Sequence, residues 1–308
     1  MAAQRILSLL PAGTEMVFLL GAGDRLVGRS HECDFPDAAR TSPVVSRTRI
    51  DPSADSARID VEVKASLSEG KPLFTLDSAR IRELRPDLIL TQGQCAVCAI
   101  DTSELDRLLG AWTGPRPEVV SLSPAHIRDL WTDLRRVAQA LGVSDEGRSV
   151  IGALKGRMVD VIQRVGSFEH RPTVACLEWL DPLMGAGNWI PELVELAGGT
   201  PVLGRAGAHS DWISWDDLVA ADPEIVVTLP CGFDLPRTLQ EMAPLRAHPE
   251  WSRLRAVREG RVFAVDGNAY FNRPGPRLID SLELLAEIVH PPPEPGLRFR
   301  GSGWTPVA

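Results

Sequence analysis

Short apolar runs alternate with amphipathic segments through the first third of the chain. Residues 6–10 have the pattern of a buried strand, and a helix with apolar residues on one face follows and ends at Gly21. Further buried strands are predicted at residues 87–91 and 119–122. Strands that alternate with helices predict a mainly parallel sheet with helices on both faces.

The second half of the chain repeats this order. Residues 173–177 have the pattern of a strand, residues 191–196 that of a helix ending at two glycines, and residues 225–228 that of another strand. We interpret the repeat as two similar α/β lobes, residues 1–122 and residues 172–290. The predicted fold class is therefore α/β, with two lobes of mainly parallel sheets.

A helical linker, residues 123–171, separates the two lobes. Ser144 is a good N-cap for a long helix with an apolar inner side that is predicted to run to residue 166. We expect this helix to act as a rigid spine joining the lobes; the alternative is a helix packed on one lobe only. The tail, residues 291–308, is rich in Pro and Gly and is predicted to be poorly ordered.

Composition narrows the possible partners and the compartment. The chain has 33 basic and 41 acidic residues, a net charge of −8, which argues against nucleic acid or an anionic membrane as the main partner. No apolar stretch approaches the ~18 residues of a membrane span. The sequence shows no signal peptide and has five Cys, an odd number, so it predicts a cytoplasmic protein.

Aromatic and polar side chains cluster just after predicted strands, where α/β proteins bind ligands. Aromatic faces suit a flat macrocycle, although some of them could simply plug the lobes. Glu178 and Asp181 flank Trp179 and could serve acid–base chemistry or make polar contacts to a ligand. The chain has no catalytic triad, phosphate loop or helical His-Glu-His pair, so we expect binding without catalysis.

Four cysteines also follow predicted strand ends: Cys33, Cys95, Cys98 and Cys231. The two-residue gap between Cys95 and Cys98 is typical of a thiolate metal hook, and four thiolates could hold zinc or an iron–sulfur cluster. Buried free cysteine is, however, a common packing residue. A thiolate-liganded metal or redox protein is therefore the alternative function on the same scaffold.

Several segments together resemble the cobalamin-binding branch of the vitamin B12 and iron-siderophore substrate-binding proteins of ABC importers. They are the opening residues 8–15 and residues 30–36, 86–89, 91–98, 178–182, 230–233 and 266–277. The resemblance covers roughly residues 5–290. It implies two lobes joined by a spine helix, a cleft between the lobes, no catalysis, and cobalamin or a related corrinoid as the ligand.

The ligand-binding residues expected from this resemblance and from the strand-end positions are Pro11, Thr14, His31, Glu32, Phe35, Gln92, Gln94, Glu178, Trp179, Asp181, Trp189, Phe233, Tyr270, Phe271 and Arg273. The resemblance also implies a Glu at the tip of each lobe for docking on a permease. Here Asp216 lies near the second position and Asp77 near the first, so permease docking is not carried over.

Overall fold

The computed structural model describes residues 2–93, 102–292 and 296–307. The chain folds into two compact units. The N-terminal unit comprises Met1–Ala54, Val61–Pro124 and Arg128–Ala153, and the C-terminal unit comprises Asp55–Asp60, Ala125–Ile127 and Leu154–Ala308. The predicted linker is thus divided between the units.

The first half of the chain alternates strands and helices, as its hydrophobic pattern predicts. In chain order its elements are β1 (Ile6–Ser8), α1 (Pro11–Leu19), β2 (Leu26–Arg29), β3 (Ser46–Thr48), α2 (Ser56–Ser68), β4 (Phe74–Leu76), α3 (Ser78–Leu84), β5 (Leu88–Gln92), α4 (Thr102–Gly110), β6 (Glu118–Leu122), α5 (Ile127–Leu141) and α6 (Ser144–Val165).

The main sheet of the N-terminal unit is parallel, in the order β2-β1-β5-β6. Its central strands are buried on both faces, which explains their unbroken apolar runs. Pro11 is the first residue of α1, where its missing N–H costs no hydrogen bond. A Cβ at Gly13, two residues later, would lie 2.9 Å from Leu10 Cδ2 and 3.2 Å from Leu90 Cβ, so a larger residue there would force these side chains to move.

The second half of the chain contains the remaining elements. They are β7 (Thr173–Leu180), β8 (Leu183–Gly185), α7 (Ile190–Leu196), β9 (Thr200–Val202), β10 (Asp211–Trp212), α8 (Trp215–Ala221), β11 (Ile225–Thr228), α9 (Leu235–Ala247), α10 (Arg255–Arg258), β12 (Val262–Val265), α11 (Leu278–Val289) and β13 (Trp304–Pro306).

The sheet of the C-terminal unit is mixed, in the order β10-β8-β7-β11-β12-β13, with β9 also paired to β7. The central strands β7, β11 and β12 are parallel, so their carboxyl ends lie at one edge. Strands β8, β10 and β13 add antiparallel pairs at the sides. The fold class predicted from the sequence is confirmed, and the carboxyl edge of β7, β11 and β12 is where the site residues of this unit lie.

The tail does not follow its prediction, because part of it completes the sheet. Strand β13 pairs antiparallel with β12, and Phe299 and Trp304 are buried. The carboxylate of Glu287 accepts the backbone N–H of Phe299 at 3.1 Å and the indole N–H of Trp304 at 2.9 Å. The Pro and Gly content suggested disorder, but Phe299 and Trp304 are buried and both donate hydrogen bonds to the buried Glu287 carboxylate.

Within the described residues, no helix is both long and apolar enough to cross a membrane.

Candidate functional site

Glu178 lies near the carboxyl end of β7 and is held by hydrogen bonds inside its unit. Its Oε2 accepts the hydroxyl of Ser210 at 2.6 Å, and Ser210 Oγ in turn accepts the N–H of Gly187 at 3.0 Å. Burial raises the pKa of Glu178, while the Ser210 hydrogen bond and the nearby His209 oppose that shift. Through Ser210, Glu178 therefore fixes the 208–210 segment.

Trp179 and Phe233 form an aromatic pair at the ends of β7 and β11. Their ring centroids are 5.3 Å apart at an interplanar angle of 48°. Trp179 is half-buried, whereas Phe233 is buried, and the Arg237 guanidinium carbon lies 5.0 Å from the Phe233 ring centroid. The pair offers an aromatic surface backed by a cation.

The beginning of α2 belongs to this same aromatic region. Trp179 Nε1–H donates to the carbonyl oxygen of Ser56 at 3.1 Å, and the Ser56 N–H donates to Glu241 Oε2 at 3.0 Å. Glu241 Oε1 is 2.8 Å from Arg237 Nη2. A short segment from early in the chain therefore fixes the orientation of the Trp179 indole.

Tyr270 lies in a π-helical turn, Gly267–Phe271, that follows β12. Asp266 caps this turn by accepting the N–H of Ala269 at 2.7 Å, and burial raises the pKa of Asp266. Ser281 Oγ–H donates to the Tyr270 carbonyl, and the ring is half-buried against Phe299 at a centroid distance of 5.6 Å. Turns of this kind are frequent at functional sites.

Three of the expected binding residues are instead engaged in the interior of the C-terminal unit. Trp189 is 7% exposed and its Nε1–H donates to the carbonyl of Phe271 at 2.9 Å, and Phe271 has no exposed surface. Arg273 is 6% exposed, with Nη2 2.9 Å from Asn268 Oδ1. In this structure these side chains shape the loops, whereas Asp181, directly after β7, is exposed.

In the N-terminal unit, Pro11 and Thr14 lie in the first turns of α1. Thr14 is fully buried, and its hydroxyl donates to the Leu10 carbonyl oxygen at an O–O distance of 3.4 Å. Glu32 and Phe35 are exposed in the segment after β2, where Phe35 has 46% of its surface exposed. Gln92 ends β5 and is half-buried.

His31 also follows β2, and its ring is anchored. Nδ1 lies 2.8 Å from Ser46 Oγ, and the ring centroid lies 5.5 Å from that of Phe74. Burial, and then the positive charge of Arg29, lower the pKa of His31. The neutral imidazole is therefore favoured.

The cysteines give the thiolate alternative no support where the structure describes them. Cys33 is buried 3.3 Å from Ser30 Oγ, and burial raises the pKa of its thiol. Cys176 is inside β7, where burial raises its pKa to about 12, and Cys231 is half-buried. Among the described residues no group of three or more His, Cys, Asp or Glu is placed to hold a metal ion. Gln94, Cys95 and Cys98 lie outside the described residues.

Sequence reasoning missed several residues that arrange the site. Ser56, Glu241 and Arg237 position Trp179 and Phe233, and Ser210 holds Glu178. None of these residues belongs to a motif quoted above, and Ser56 is 123 residues away from Trp179 in the sequence. Only the folded chain reveals such partners.

Comparison with known proteins identifies the fold and the family. The signature of the family described as periplasmic binding protein matches residues 6–269. An uncharacterised ABC transporter substrate-binding lipoprotein, YvrC of Bacillus subtilis, is 20% identical over 94% of this chain and 80% of its own length.

Solved structures of similar fold include a heme-binding protein and a vitamin B12-binding protein. The periplasmic heme-binding protein of Pseudomonas aeruginosa has a TM-score of 0.73 at 22% identity, covering 99% of this chain and 98% of its own. The periplasmic vitamin B12-binding protein BtuF of Vibrio cholerae has a TM-score of 0.67 at 20% identity, covering 93% and 96%. At these identities the likeness concerns the fold.

The expectation of a cytoplasmic location is wrong. The matched family is one of periplasmic binding proteins, and the similar proteins are a lipoprotein and two periplasmic proteins, which points to an extracytoplasmic location. The prediction failed because cysteine count and the pattern of the first residues are only indirect signs of the compartment.

Proposed function

Because the chain belongs to the periplasmic binding protein family, we propose that it binds a corrinoid, a cobalamin-like ligand, without altering it chemically. Proteins of this family bind substrates and are not enzymes. The ligand would contact the loops at the carboxyl ends of the parallel strands, where this fold class binds ligands.

One observation supports a large planar ligand more than any other. Trp179 is the next-to-last residue of β7, and Phe233 and Tyr270 follow the carboxyl ends of β11 and β12; the three strands are neighbours in one sheet. Trp179 and Tyr270 keep part of their surface accessible, and the Phe233 ring packs against the Trp179 ring. Aromatic rings provide large contact area at low entropic cost, as a macrocycle requires.

A titration of the purified protein with cyanocobalamin tests the proposal. We expect saturable heat release as cyanocobalamin is added. Heme is the second candidate ligand, because the chain shares its fold with a heme-binding protein across 99% of its length. Saturable binding of hemin, with no response to cyanocobalamin at high micromolar concentration, would replace the corrinoid assignment by heme.

Trp179→Ala should weaken cyanocobalamin binding by ~1–3 kcal/mol, since an aromatic anchor in a binding site contributes about that much. Trp179→Phe should recover part of the affinity, because it retains a ring and loses only the N–H bonded to Ser56. Trp212→Ala is the matched control, since Trp212 is 49% exposed on the edge strand β10. Equal affinities of folded Trp179→Ala and Trp212→Ala variants would exclude Trp179 from the site.

A further inference from the structure

The two ring nitrogens of His31 have different environments. Nδ1 lies 2.8 Å from Ser46 Oγ, which also accepts the backbone N–H of His31 at 3.0 Å. Nε2 has no hydrogen-bond partner within residues 2–93, 102–292 and 296–307. It is also not fully buried. One nitrogen is therefore anchored while the other is accessible.

This arrangement resembles that of a histidine prepared to bind a metal. Metal-binding histidines use one ring nitrogen for the metal and hold the ring with a hydrogen bond from the other. Ligation through Nε2 requires the proton on Nδ1, and Ser46 Oγ has two lone pairs, enough to accept both Nδ1–H and the His31 N–H. The neutral ring favoured by burial and by Arg29 carries the lone pair that ligation needs.

A single histidine suits a metal whose other ligands come from a bound molecule and not from the protein. Within the described residues, His31 belongs to no group of three or more candidate ligands, so it lacks the companions that a bare ion needs. A tetrapyrrole supplies four equatorial nitrogens itself and leaves the axial positions open. The Phe74 ring, with its centroid 5.5 Å from that of His31, adds apolar surface beside the imidazole.

We propose that His31 Nε2 is an axial ligand to the metal of a bound tetrapyrrole, so that the protein selects corrinoids with an exchangeable axial position. The inference rests on the proposed function. In aquocobalamin the cobalt–water bond breaks, the imidazole lone pair forms a cobalt–nitrogen bond, and water leaves to solvent. Cobalt keeps its oxidation state, and no proton is released from the neutral imidazole.

Aquocobalamin and cyanocobalamin separate this proposal from corrinoid binding in general, because cyanide blocks the axial position of the second compound. The wild-type protein should bind aquocobalamin at least about 10-fold more tightly than cyanocobalamin, and only aquocobalamin should show the band shift of imidazole ligation. His31→Ala should abolish the shift and bind both compounds equally. Ser46→Ala should weaken aquocobalamin binding by a smaller factor.

His170→Ala is the matched control. The His170 side chain is 71% exposed and pairs with Glu224, and both residues lie in the C-terminal unit, whereas His31 lies in the N-terminal unit. This variant should behave as the wild type with both compounds. Melting temperatures check the folding of each variant, and the comparison of the two corrinoids on the wild-type protein needs no variant.

Two outcomes overturn the inference and one separates it from the proposed function. Equal wild-type affinity for both corrinoids without a band shift overturns axial ligation and leaves corrinoid binding intact. If neither corrinoid binds, the proposed function fails and hemin decides: a Soret shift that is lost in His31→Ala supports ligation by His31. A Soret band that is the same with and without His31 overturns it.

Discussion

Asp133 is a buried residue on α5, and only one of its two carboxyl oxygens has a hydrogen-bond partner within the described residues. Oδ1 lies 3.3 Å from Arg136 Nη1, whereas Oδ2 is buried and has no hydrogen-bond partner within the described residues. Burial raises the pKa of Asp133 to about 6, although Arg136 opposes the shift. The folded protein therefore binds a proton here at a higher pH than the unfolded chain does.

The sign of the resulting pH dependence follows from that raised pKa. Between about pH 4 and pH 6 the folded state holds more protons, so this group reduces stability as pH rises. We expect Asp133→Asn to raise the free energy of unfolding at pH 8 by on the order of 2 kcal/mol, and the gain to vanish near pH 4. Urea unfolding at both pH values measures it.

Asp145→Asn is the control for the Asp133 prediction, because Asp145 is 82% exposed in the first turn of α6. It should change stability little at either pH. Parallel stability curves for wild type and Asp133→Asn from pH 4 to pH 8 would show that Asp133 titrates normally.

The limits of sequence reasoning are clearest at Trp189 and Trp179. Both follow predicted strand ends and gave the same aromatic signal, yet Trp189 is buried on the carbonyl of Phe271 and Trp179 is half-buried beside Ser56. Which ring remains accessible depends on partners 82 and 123 residues away in sequence. Spacing finds a loop, but tertiary contacts decide the role of each side chain in it.

At the scale of elements, hydrophobic periodicity was a good guide where segments were long or buried. Strands β5 and β7 and the long helix α6, Ser144–Val165, follow directly from their patterns. The antiparallel strands β8, β10 and β13 have two or three residues each, too few to show a period. Their pairing depends on the strands beside them.

Strand β13 gives the element-scale prediction. Deleting residues 297–308 removes buried Phe299 and Trp304 and leaves the Glu287 carboxylate without three N–H donors. A buried charge without its partners is costly, so the melting temperature should fall by several degrees or more. Glu287→Gln should lower it less, because Gln retains one acceptor oxygen.

The same deletion should also affect ligand binding. Phe299 packs edge-on against Tyr270, and a Cβ at Gly303 would lie 3.3 Å from the Tyr270 ring, so the tail supports that loop. We expect weaker cyanocobalamin binding in a truncated protein that is still folded at the assay temperature. Glu69→Gln, at an exposed ion pair, is the control. Unchanged melting temperature and affinity after truncation would mean that the tail contributes nothing.

At the scale of the whole molecule, the connectivity of the chain is more involved than two lobes and a linker. Residues 55–60 and 125–127 belong to the C-terminal unit although they lie within the first half of the sequence. Glu192 accepts the Ile127 N–H at 2.7 Å and lies 2.6 Å from His126 Nδ1, as Glu241 accepts the Ser56 N–H. No local pattern indicates this exchange, because it depends on contacts between distant segments.

This connectivity predicts that the two units unfold together. The chain passes between them at five points, three of which fall inside α2, α5 and α6, and a helix resists being folded at one end only.

Six of the eight Trp lie in the C-terminal unit, so Trp fluorescence reports mainly on that unit, while far-UV circular dichroism reports on both. We expect the two probes to give the same urea midpoint and a single transition. Glu192→Ala, which removes the partner of residues 126 and 127, should lower both midpoints equally. A fluorescence midpoint separated from the circular dichroism midpoint, in the wild type or in Glu192→Ala, would show that the units unfold independently.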